Sequence, residues 1–318
     1  MRTAIVIALL AFSALGQQSS APPPAISAAP VDTSIHSTLL LPNDTTRAMP
    51  VVLLISGSGP TDRDGNSPML PGKNNSLRML AEGLAMNGIA SLRYDKRGIG
   101  ESAKAMVSEA DLRFETYIDD AAAFCEQLRA DKRFSAVVIA GHSEGSLIGM
   151  VAAKKCSAAG FISIAGIGRP AAEILRIQLA GKLPPALATQ SEAILKGLEE
   201  GKTTEKAPVE LLALYRPSVQ PYMISWFRYD PAKSIAALNV PVLIIQGTTD
   251  IQVSVDDANR LAAANPRAKL LIIEGMNHVL KSVSSDKTKQ MASYGDPSLM
   301  LAPDLLMNIV DFVRKAGK

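Results

Sequence analysis

The chain has few of the residues that build metal centres, and its charge is small. It contains three histidines and two cysteines in 318 residues, with no Cys-x-x-Cys pair. Neither the spacing nor the neighbours of these residues indicate a metal site, and we expect no metal and no cofactor. The net charge of +3 is spread without basic clusters, which argues against nucleic acid or an acidic membrane surface as a partner.

The sequence also lacks an apolar run long enough to span a membrane comfortably. The run from Ala4 to Leu15 covers twelve residues, follows Arg2, and ends in Ala14-Leu15-Gly16 before Gln17. A span needs about 20 residues, so residues 1–16 are predicted to be a signal peptide and the protein to be secreted or periplasmic. Because only one positive charge precedes the run, an uncleaved anchor is the alternative. Residues 17–33, rich in Pro, Ala and Ser, are predicted to be a flexible linker.

Residues 34–318 alternate between short apolar runs and segments of helical spacing. This alternation predicts an α/β fold with a mostly parallel, doubly wound sheet and no internal repeat. Predicted strands cover residues 35–41, 51–55, 89–94, 137–140, 160–165, 241–246 and 269–274. From about 167 to 237 three helical segments, 171–182, 186–200 and 208–216, replace the alternation. This is where we expect an inserted helical cap.

One stretch carries a specific chemical signal. Gly141-His142-Ser143-Glu144-Gly145 lies between an apolar β-branched run and an apolar helical segment, which is the context of the nucleophile elbow of an α/β-hydrolase. The serine must project from a sharp, strained turn, and Gly141 and Gly145 provide the room for it. Ser143 is therefore the predicted nucleophile. A glycine-rich strand-to-helix turn without catalytic use is the plain alternative.

A serine hydroxyl needs a base to take its proton, and three histidines are available. His36 lies in an early strand, and His142 lies in the elbow itself with its side chain expected to point away from that of Ser143. His278 follows the last predicted strand, at the same carboxyl edge of the sheet as the elbow. We therefore predict His278 as the base, against the alternative of a hydrogen-bonded surface histidine.

The acid should follow a strand between the elbow and the base. Asp250 does so, after an apolar strand and a glycine turn, and its task would be to hold the His278 tautomer and stabilise the imidazolium. Asp256 and Asp257 are the alternatives, although they resemble the start of a helix, where acidic residues complement the dipole.

Two backbone N–H groups are needed to bind the oxyanion. The first is that of Glu144, the residue after the nucleophile. The second is expected from the loop Ser56-Gly57-Ser58-Gly59-Pro60; we assign it to Ser58, with Gly57 and Gly59 as alternatives. Read alone, this Gly-x-Gly pattern also suits a phosphate loop, but no lysine completes one.

Two segments that mix charged residues with glycines, Thr61–Asn66 and Arg93–Ser102, follow predicted strands. Cys125 and Cys156 lie on predicted helices on either side of the elbow strand. Acyl transfer needs no second acid–base pair, so we interpret the charged segments as ion pairs and turns that brace loops beside the site. The two cysteines form either one disulfide or two buried thiols.

Together these motifs resemble a known family. Ser56–Asn66, Arg93–Ser102, Gly141–Gly145, Tyr229-Asp230-Pro231, Gly247–Asp250 and Asn277-His278 are similar to segments of secreted bacterial α/β-hydrolases of the serine aminopeptidase S33-like group, many of them carboxylesterases. The resemblance covers approximately residues 35–315. It implies the α/β-hydrolase fold, the triad Ser143, Asp250 and His278, and a helical cap. The chain departs from many hydrolases at Ser56, where histidine often precedes the oxyanion glycine.

The hypothesis from sequence is a serine hydrolase that cleaves small-molecule carboxylic esters of short to medium acyl length through an acyl-enzyme. The first alternative is an aminopeptidase or amide hydrolase with the same triad. It would need cap carboxylates to bind a free α-amine, for which the available glutamates are Glu173, Glu192, Glu199, Glu200 and Glu205. The second is a non-catalytic binding protein on a hydrolase scaffold, which we would expect to lack a triad member.

Overall fold

The computed structural model describes residues 34–106 and 108–317; the predicted signal peptide, 1–16, and linker, 17–33, lie outside them. The described chain contains a seven-stranded sheet in the order β1-β3-β2-β4-β5-β6-β7. Only β1 runs antiparallel to its neighbour. The strands are β1 Ser37–Leu40, β2 Met49–Ile55, β3 Ala90–Tyr94, β4 Phe134–His142, β5 Gly160–Ile164, β6 Val242–Gly247 and β7 Lys269–Ile273. The predicted mostly parallel sheet is therefore confirmed.

The central strands are apolar on both faces because the sheet is covered on both sides. Along β2, the side chains of Val51, Leu53 and Ile55 enter one buried cluster, and those of Val52 and Leu54 enter a second on the opposite face. This period-two alternation between two cores explains why the sequence shows a continuous apolar run there instead of an alternating one.

Helices fill the two layers. The helices outside the insertion are α1 Ser76–Met86, α2 Phe114–Ala130, α3 Glu144–Lys155, α9 Val255–Ala264, α10 Lys287–Ser293 and α11 Pro303–Ala316. Apolar residues of α2 and α3 belong to the first cluster, and those of α1 and α11 to the second. None of the helices in the described ranges is long and apolar enough to cross a membrane.

Five helices are inserted between β5 and β6. They are α4 Ala171–Leu179, α5 Pro185–Glu199, α6 Leu212–Tyr215, α7 Gln220–Phe227 and α8 Pro231–Ala236. Most apolar side chains of this insertion join the first core cluster and serve packing; they include Leu175, Leu179, Leu211, Leu214 and Trp226. The predicted helical segment 208–216 is helical, but it is not one α-helix: a 3₁₀ turn at Val209–Leu211 leads directly into the one-turn α6. α6 ends before Pro217, because proline cannot continue the helical hydrogen-bond ladder.

The two cysteines form a disulfide. Cys125, on α2, is bonded to Cys156, the residue that follows α3, across a separation of 31 residues. Both residues are buried. The bond therefore ties together the two helices that pack beside the elbow strand. On the loop-entropy model a closure of this length destabilises the unfolded chain by about 3–4 kcal/mol.

Candidate active site

Ser143 occupies the turn between β4 and α3. Its backbone has φ 55° and ψ −122°, a conformation that costs a non-glycine residue about 1–3 kcal/mol. The turn is held by a hydrogen bond of 2.9 Å from the Ser143 N–H to the carbonyl of Ile164, on the neighbouring strand. A strained serine at the carboxyl end of a central strand has the geometry of a nucleophile elbow.

The two glycines of the elbow are required by close backbone contacts. A Cβ on Gly141 would lie 2.0 Å from the carbonyl oxygen of Gly145, and a Cβ on Gly145 would lie 2.5 Å from that of Ile55. Both distances are far below van der Waals contact, so any side chain would push β4, α3 and β2 apart. The sequence-based explanation of these glycines agrees with these contacts.

His278 and Asp250 form a buried pair at the same edge of the sheet. Asp250 follows β6 and His278 follows β7, and 2.8 Å separates the Asp250 Oδ2 from the His278 Nδ1. The two side chains are 0% and 6% exposed, respectively. Because the carboxylate can only accept, the His278 Nδ1 carries the proton and its Nε2 is left as the basic nitrogen.

Several donors hold the Asp250 carboxylate in place. Its Oδ1 accepts the backbone N–H groups of Gln252 and Val253 at 2.8 and 3.0 Å, and its Oδ2 also accepts the Nε2 of Gln246 at 3.0 Å. Burial raises the pKa of Asp250, but attraction to the protonated form of His278 and the hydrogen bonds from His278, Val253 and Gln252 outweigh it and hold the pKa below its usual value. The carboxylate is thus ionised and fixed in orientation.

His142 connects the elbow to the His278 loop. Its Nε2 lies 2.8 Å from the backbone carbonyl oxygen of His278, and the two rings are 4.8 Å apart. Burial, together with the nearby His278, lowers the pKa of His142 to about 3, so the ring is neutral and its Nε2–H is the donor. The residue next to Ser143 therefore touches the residue predicted as its base, a contact that sequence reasoning missed.

The glycine-rich loop after β2 packs against the elbow. A Cβ built on Gly57 would lie 3.1 Å from the Cβ of Ser143, so the loop approaches the nucleophile closely. The loop is braced by hydrogen bonds from the Ser56 Oγ to the Thr61 carbonyl and from the Thr61 Oγ1 to the Ser58 carbonyl, at 3.1 and 2.8 Å. Ser58 thus follows the glycine that packs against Ser143.

The remaining sequence candidates have other partners. Asp257 accepts the Ser254 N–H at 3.2 Å in the capping box of α9, and it also accepts the Ser254 hydroxyl at 2.6 Å. Asp256 pairs with Arg169 and Arg260 at the start of the same helix. The Nδ1 of His36 lies 3.9 Å from Glu101, and more than half of both side chains is exposed. The Asp256–Asp257 pair thus begins a helix, as its sequence pattern suggested.

The two charged segments form ion pairs beside the site. Arg63 binds Asp95 and Arg93 binds Asp64, each at 2.8 Å, as interpreted from the sequence. Lys96 does more than brace its own loop: its Nζ contacts the Gly57 carbonyl at 2.6 Å and the Glu144 carboxylate at 3.0 Å. Sequence reasoning missed this role. Its only signal was a lysine two residues beyond a buried strand, at the edge that carries the elbow.

The architecture and the elbow define the class of the fold. Two solved structures superpose on most of the chain. Est1E from Butyrivibrio proteoclasticus, with ferulic acid bound, has 19% identity, a TM-score of 0.57 and coverage of 88% of this chain and 93% of its own. A malate-bound thermophilic esterase from Thermogutta terrifontis has 18% identity, a TM-score of 0.55 and coverage of 93% and 100%. The protein has the α/β-hydrolase fold.

Sequence comparison identifies the family. The model of the family described as serine aminopeptidase, S33, matches residues 74–282. Esterase EstD from Thermotoga maritima is 31% identical over 242 residues, which is 75% of this chain. The aligned part spans 56% of the length of that esterase. The chain belongs to the serine aminopeptidase S33 family, as its motifs predicted.

Proposed function

We propose that the protein is a serine hydrolase that cleaves carboxylic esters of short to medium acyl length through an acyl-enzyme. The observation that carries the proposal is the buried hydrogen bond between Asp250 and His278. The His278 ring lies 4.8 Å from that of His142, the residue before the strained Ser143. In this proposal Ser143 is the nucleophile, His278 is the general base and then acid, and Asp250 orients the imidazole.

The reaction would proceed in two balanced halves. The Ser143 Oγ attacks the ester carbonyl carbon while the His278 Nε2 takes the serine proton. The carbonyl oxygen becomes negatively charged and accepts hydrogen bonds from the N–H groups of Ser58 and Glu144. Collapse of this intermediate expels the alcohol, which receives the proton from His278. Water then repeats the sequence on the acyl-enzyme, releasing the acid and restoring Ser143.

The Glu144 N–H is suited to this task by its position. Glu144 is the first residue of α3, so its N–H has no carbonyl four residues earlier within the helix. The helix dipole adds partial positive charge at the same point. The Ser58 assignment is supported by the packing of Gly57 against Ser143, with Gly57 and Gly59 kept as alternatives.

Ester cleavage is favoured over aminopeptidase activity by the carboxylates of the helical insertion, which we propose to be a cap over about residues 167–237. A free α-amine requires an available carboxylate, yet four of the five candidates have a cationic partner. Glu173 pairs with Arg169, Glu200 with Lys202, and Arg176 holds both Glu192 and Glu199. The name of EstD, an esterase, favours the same choice.

Paired activity assays on the purified protein separate the candidate functions. We expect turnover of p-nitrophenyl esters with two to eight acyl carbons, with much slower turnover of aminoacyl-p-nitroanilides, and covalent labelling of Ser143 by a fluorophosphonate. Preferred turnover of the anilides would support the aminopeptidase alternative. Absence of both labelling and turnover would instead support a binding protein on a hydrolase scaffold.

We also propose that the protein is exported and acts outside the cytoplasm. The Cys125–Cys156 disulfide supports this location, because such bonds persist in oxidising compartments. When the full chain is produced in a bacterium with a periplasm, we expect the mature protein to begin at Gln17, as read by N-terminal sequencing. A product that retains Met1 and stays in the membrane fraction would favour the uncleaved anchor.

A further inference from the structure

Lys96 is a buried cation at the edge of the sheet that carries the candidate site. It lies two residues after β3 and is 1% exposed. Burying an ammonium group is costly unless each donor finds a partner. The contacts of its Nζ should therefore show why a charge is kept here.

The Nζ of Lys96 binds two groups that belong to different segments. It donates to the carbonyl oxygen of Gly57 at 2.6 Å and to the Glu144 Oε2 at 3.0 Å, and it lies 5.1 Å from the centre of the Tyr117 ring. The second carboxylate oxygen of Glu144 accepts the Tyr222 hydroxyl at 2.7 Å. Burial, and then the Glu144 charge, raise the pKa of Tyr222 well above its usual value, so the tyrosine stays a donor.

Each of the two groups, the Gly57 carbonyl and the Glu144 carboxylate, is covalently close to one of the proposed oxyanion donors. The Gly57 carbonyl and the Ser58 N–H are the two ends of one peptide unit. In a trans peptide these ends point in opposite directions, and none of the described peptide bonds is cis. An ammonium group on the carbonyl therefore fixes the direction of the N–H, and it also polarises the amide, which makes the N–H a stronger donor.

The second contact acts on the charge beside the other donor. Glu144 supplies its N–H to the proposed oxyanion hole, yet it carries a buried carboxylate, 5% exposed. An unpaired negative charge there would oppose the negative charge that develops on the substrate. The Lys96 ammonium compensates this charge, 3.0 Å from the Glu144 Oε2.

We propose that Lys96 is a positioning residue for the oxyanion hole: through the Gly57 carbonyl it orients the Ser58 N–H toward the transition state, and through the Glu144 carboxylate it compensates a negative charge beside the second donor. The inference rests on the function proposed above and extends it to a residue that does not touch the substrate. Its effect should appear in transition-state binding and leave ground-state binding almost unchanged.

The test compares Lys96→Met, which keeps the length of the side chain and removes its charge, with the double variant Lys96→Met/Glu144→Gln, in which no carboxylate is left unpaired. The matched control is Arg93→Met. It removes the partly buried ion pair between Arg93, on β3, and Asp64. For each variant we measure kcat and KM with p-nitrophenyl butyrate and the thermal unfolding temperature. The fourth measurement is the affinity for an aryl trifluoromethyl ketone. That ketone adds the Ser143 oxygen to its carbonyl carbon, the serine proton passes to His278, and the product is a stable oxyanion.

We expect Lys96→Met to lower kcat and the affinity for the ketone by a common factor of about 100, as for loss of one oxyanion donor, while KM changes less than about threefold. The double variant should regain thermal stability without regaining affinity for the ketone, and it decides the question if the single variant does not fold. Arg93→Met should lose stability while its kcat and ketone affinity stay within about threefold of wild type.

Two outcomes would overturn the inference alone: full affinity for the ketone in a folded Lys96→Met protein, or recovery of both stability and ketone affinity in the double variant. The second would reduce Lys96 to a counterion of Glu144. A wild-type protein that neither hydrolyses esters nor binds the ketone would overturn the proposed function as well, so the two failures are distinguishable.

Discussion

Ser143→Ala is expected to lower kcat for p-nitrophenyl acetate and butyrate by a factor of about 10⁵ or more, because no other group can form the acyl-enzyme. The protein should remain folded, since alanine keeps the Cβ and the small volume of serine. Activity is measured on a preparation in which the variant is far more abundant than any contaminating esterase. Folding is checked by circular dichroism. Fluorophosphonate labelling should disappear with the activity.

The strained backbone of Ser143 provides a second readout. Its φ of 55° and ψ of −122° disfavour any residue with a Cβ, so Ser143→Gly should be more stable than Ser143→Ala by about 1 kcal/mol. Both variants should be inactive. An inactive protein that gains stability when the side chain is removed is the behaviour expected of a site that stores strain for function.

Ser146→Ala is the matched control for the elbow. The Ser146 hydroxyl is buried and lies 2.7 Å from that of Ser163, so its removal should cost about 1 kcal/mol of stability and leave kcat within a few-fold of wild type. Undiminished turnover by Ser143→Ala, or loss of activity in Ser146→Ala equal to that in Ser143→Ala, would contradict the assignment of the nucleophile.

The parts of the fold that the sequence predicts best are the buried parallel strands. β2 and β6 appear as uninterrupted apolar runs bounded by glycine and proline, because each contributes to the core on both faces of the sheet. The helical insertion is predicted less well. Prolines begin or follow several of its short helices, and the helical spacing of residues 208–216 cannot distinguish a 3₁₀ turn from a continuous helix.

In the candidate site, too, some features are predictable and others are not. Residues that directly follow strands could be predicted from sequence, whereas contacts between distant segments could not. Asp250 and His278 could be predicted as neighbours because parallel strands end at one edge. The contact of Lys96 with Glu144 joins residues 48 apart in sequence, and that of Tyr222 with Glu144 joins residues 78 apart. Such contacts leave no local pattern. From sequence alone, Lys96 therefore belongs with the loop-bracing charges, and the disulfide is one of two alternatives for Cys125 and Cys156.

Asp250→Asn is expected to lower kcat about 10⁴-fold with little change in KM, the size of loss seen when the acid of a serine-protease triad becomes an amide. The Oδ1 position accepts two backbone N–H groups, from Gln252 and Val253, and only the oxygen of an amide can replace it there. The NH₂ of the new side chain must then occupy the Oδ2 position, opposite the His278 Nδ1.

This orientation selects the wrong tautomer of the base. A donor facing the His278 Nδ1 makes that nitrogen the acceptor, so the proton moves to the Nε2 and the imidazole can no longer take the proton of Ser143. Gln246 opposes this orientation only in part. Its Nε2 donates to Oδ2 and to the Val253 carbonyl, so it would face the introduced NH₂ and the variant should also lose some stability. The two backbone donors at Oδ1 outweigh this single donor, and the unproductive orientation stays preferred.

Asp256→Asn serves as the control, since Asp256 is exposed and paired with Arg169 and Arg260 at the start of α9. It removes a neighbouring carboxylate that the sequence also offers as the acid, and its kcat should stay within about twofold of wild type. Steady-state kinetics on both variants decide between the two carboxylates. If Asp250→Asn keeps more than about a tenth of kcat while Asp256→Asn loses most of it, the acid is misassigned, because a neutral partner at 250 cannot hold the Nδ1 proton of His278.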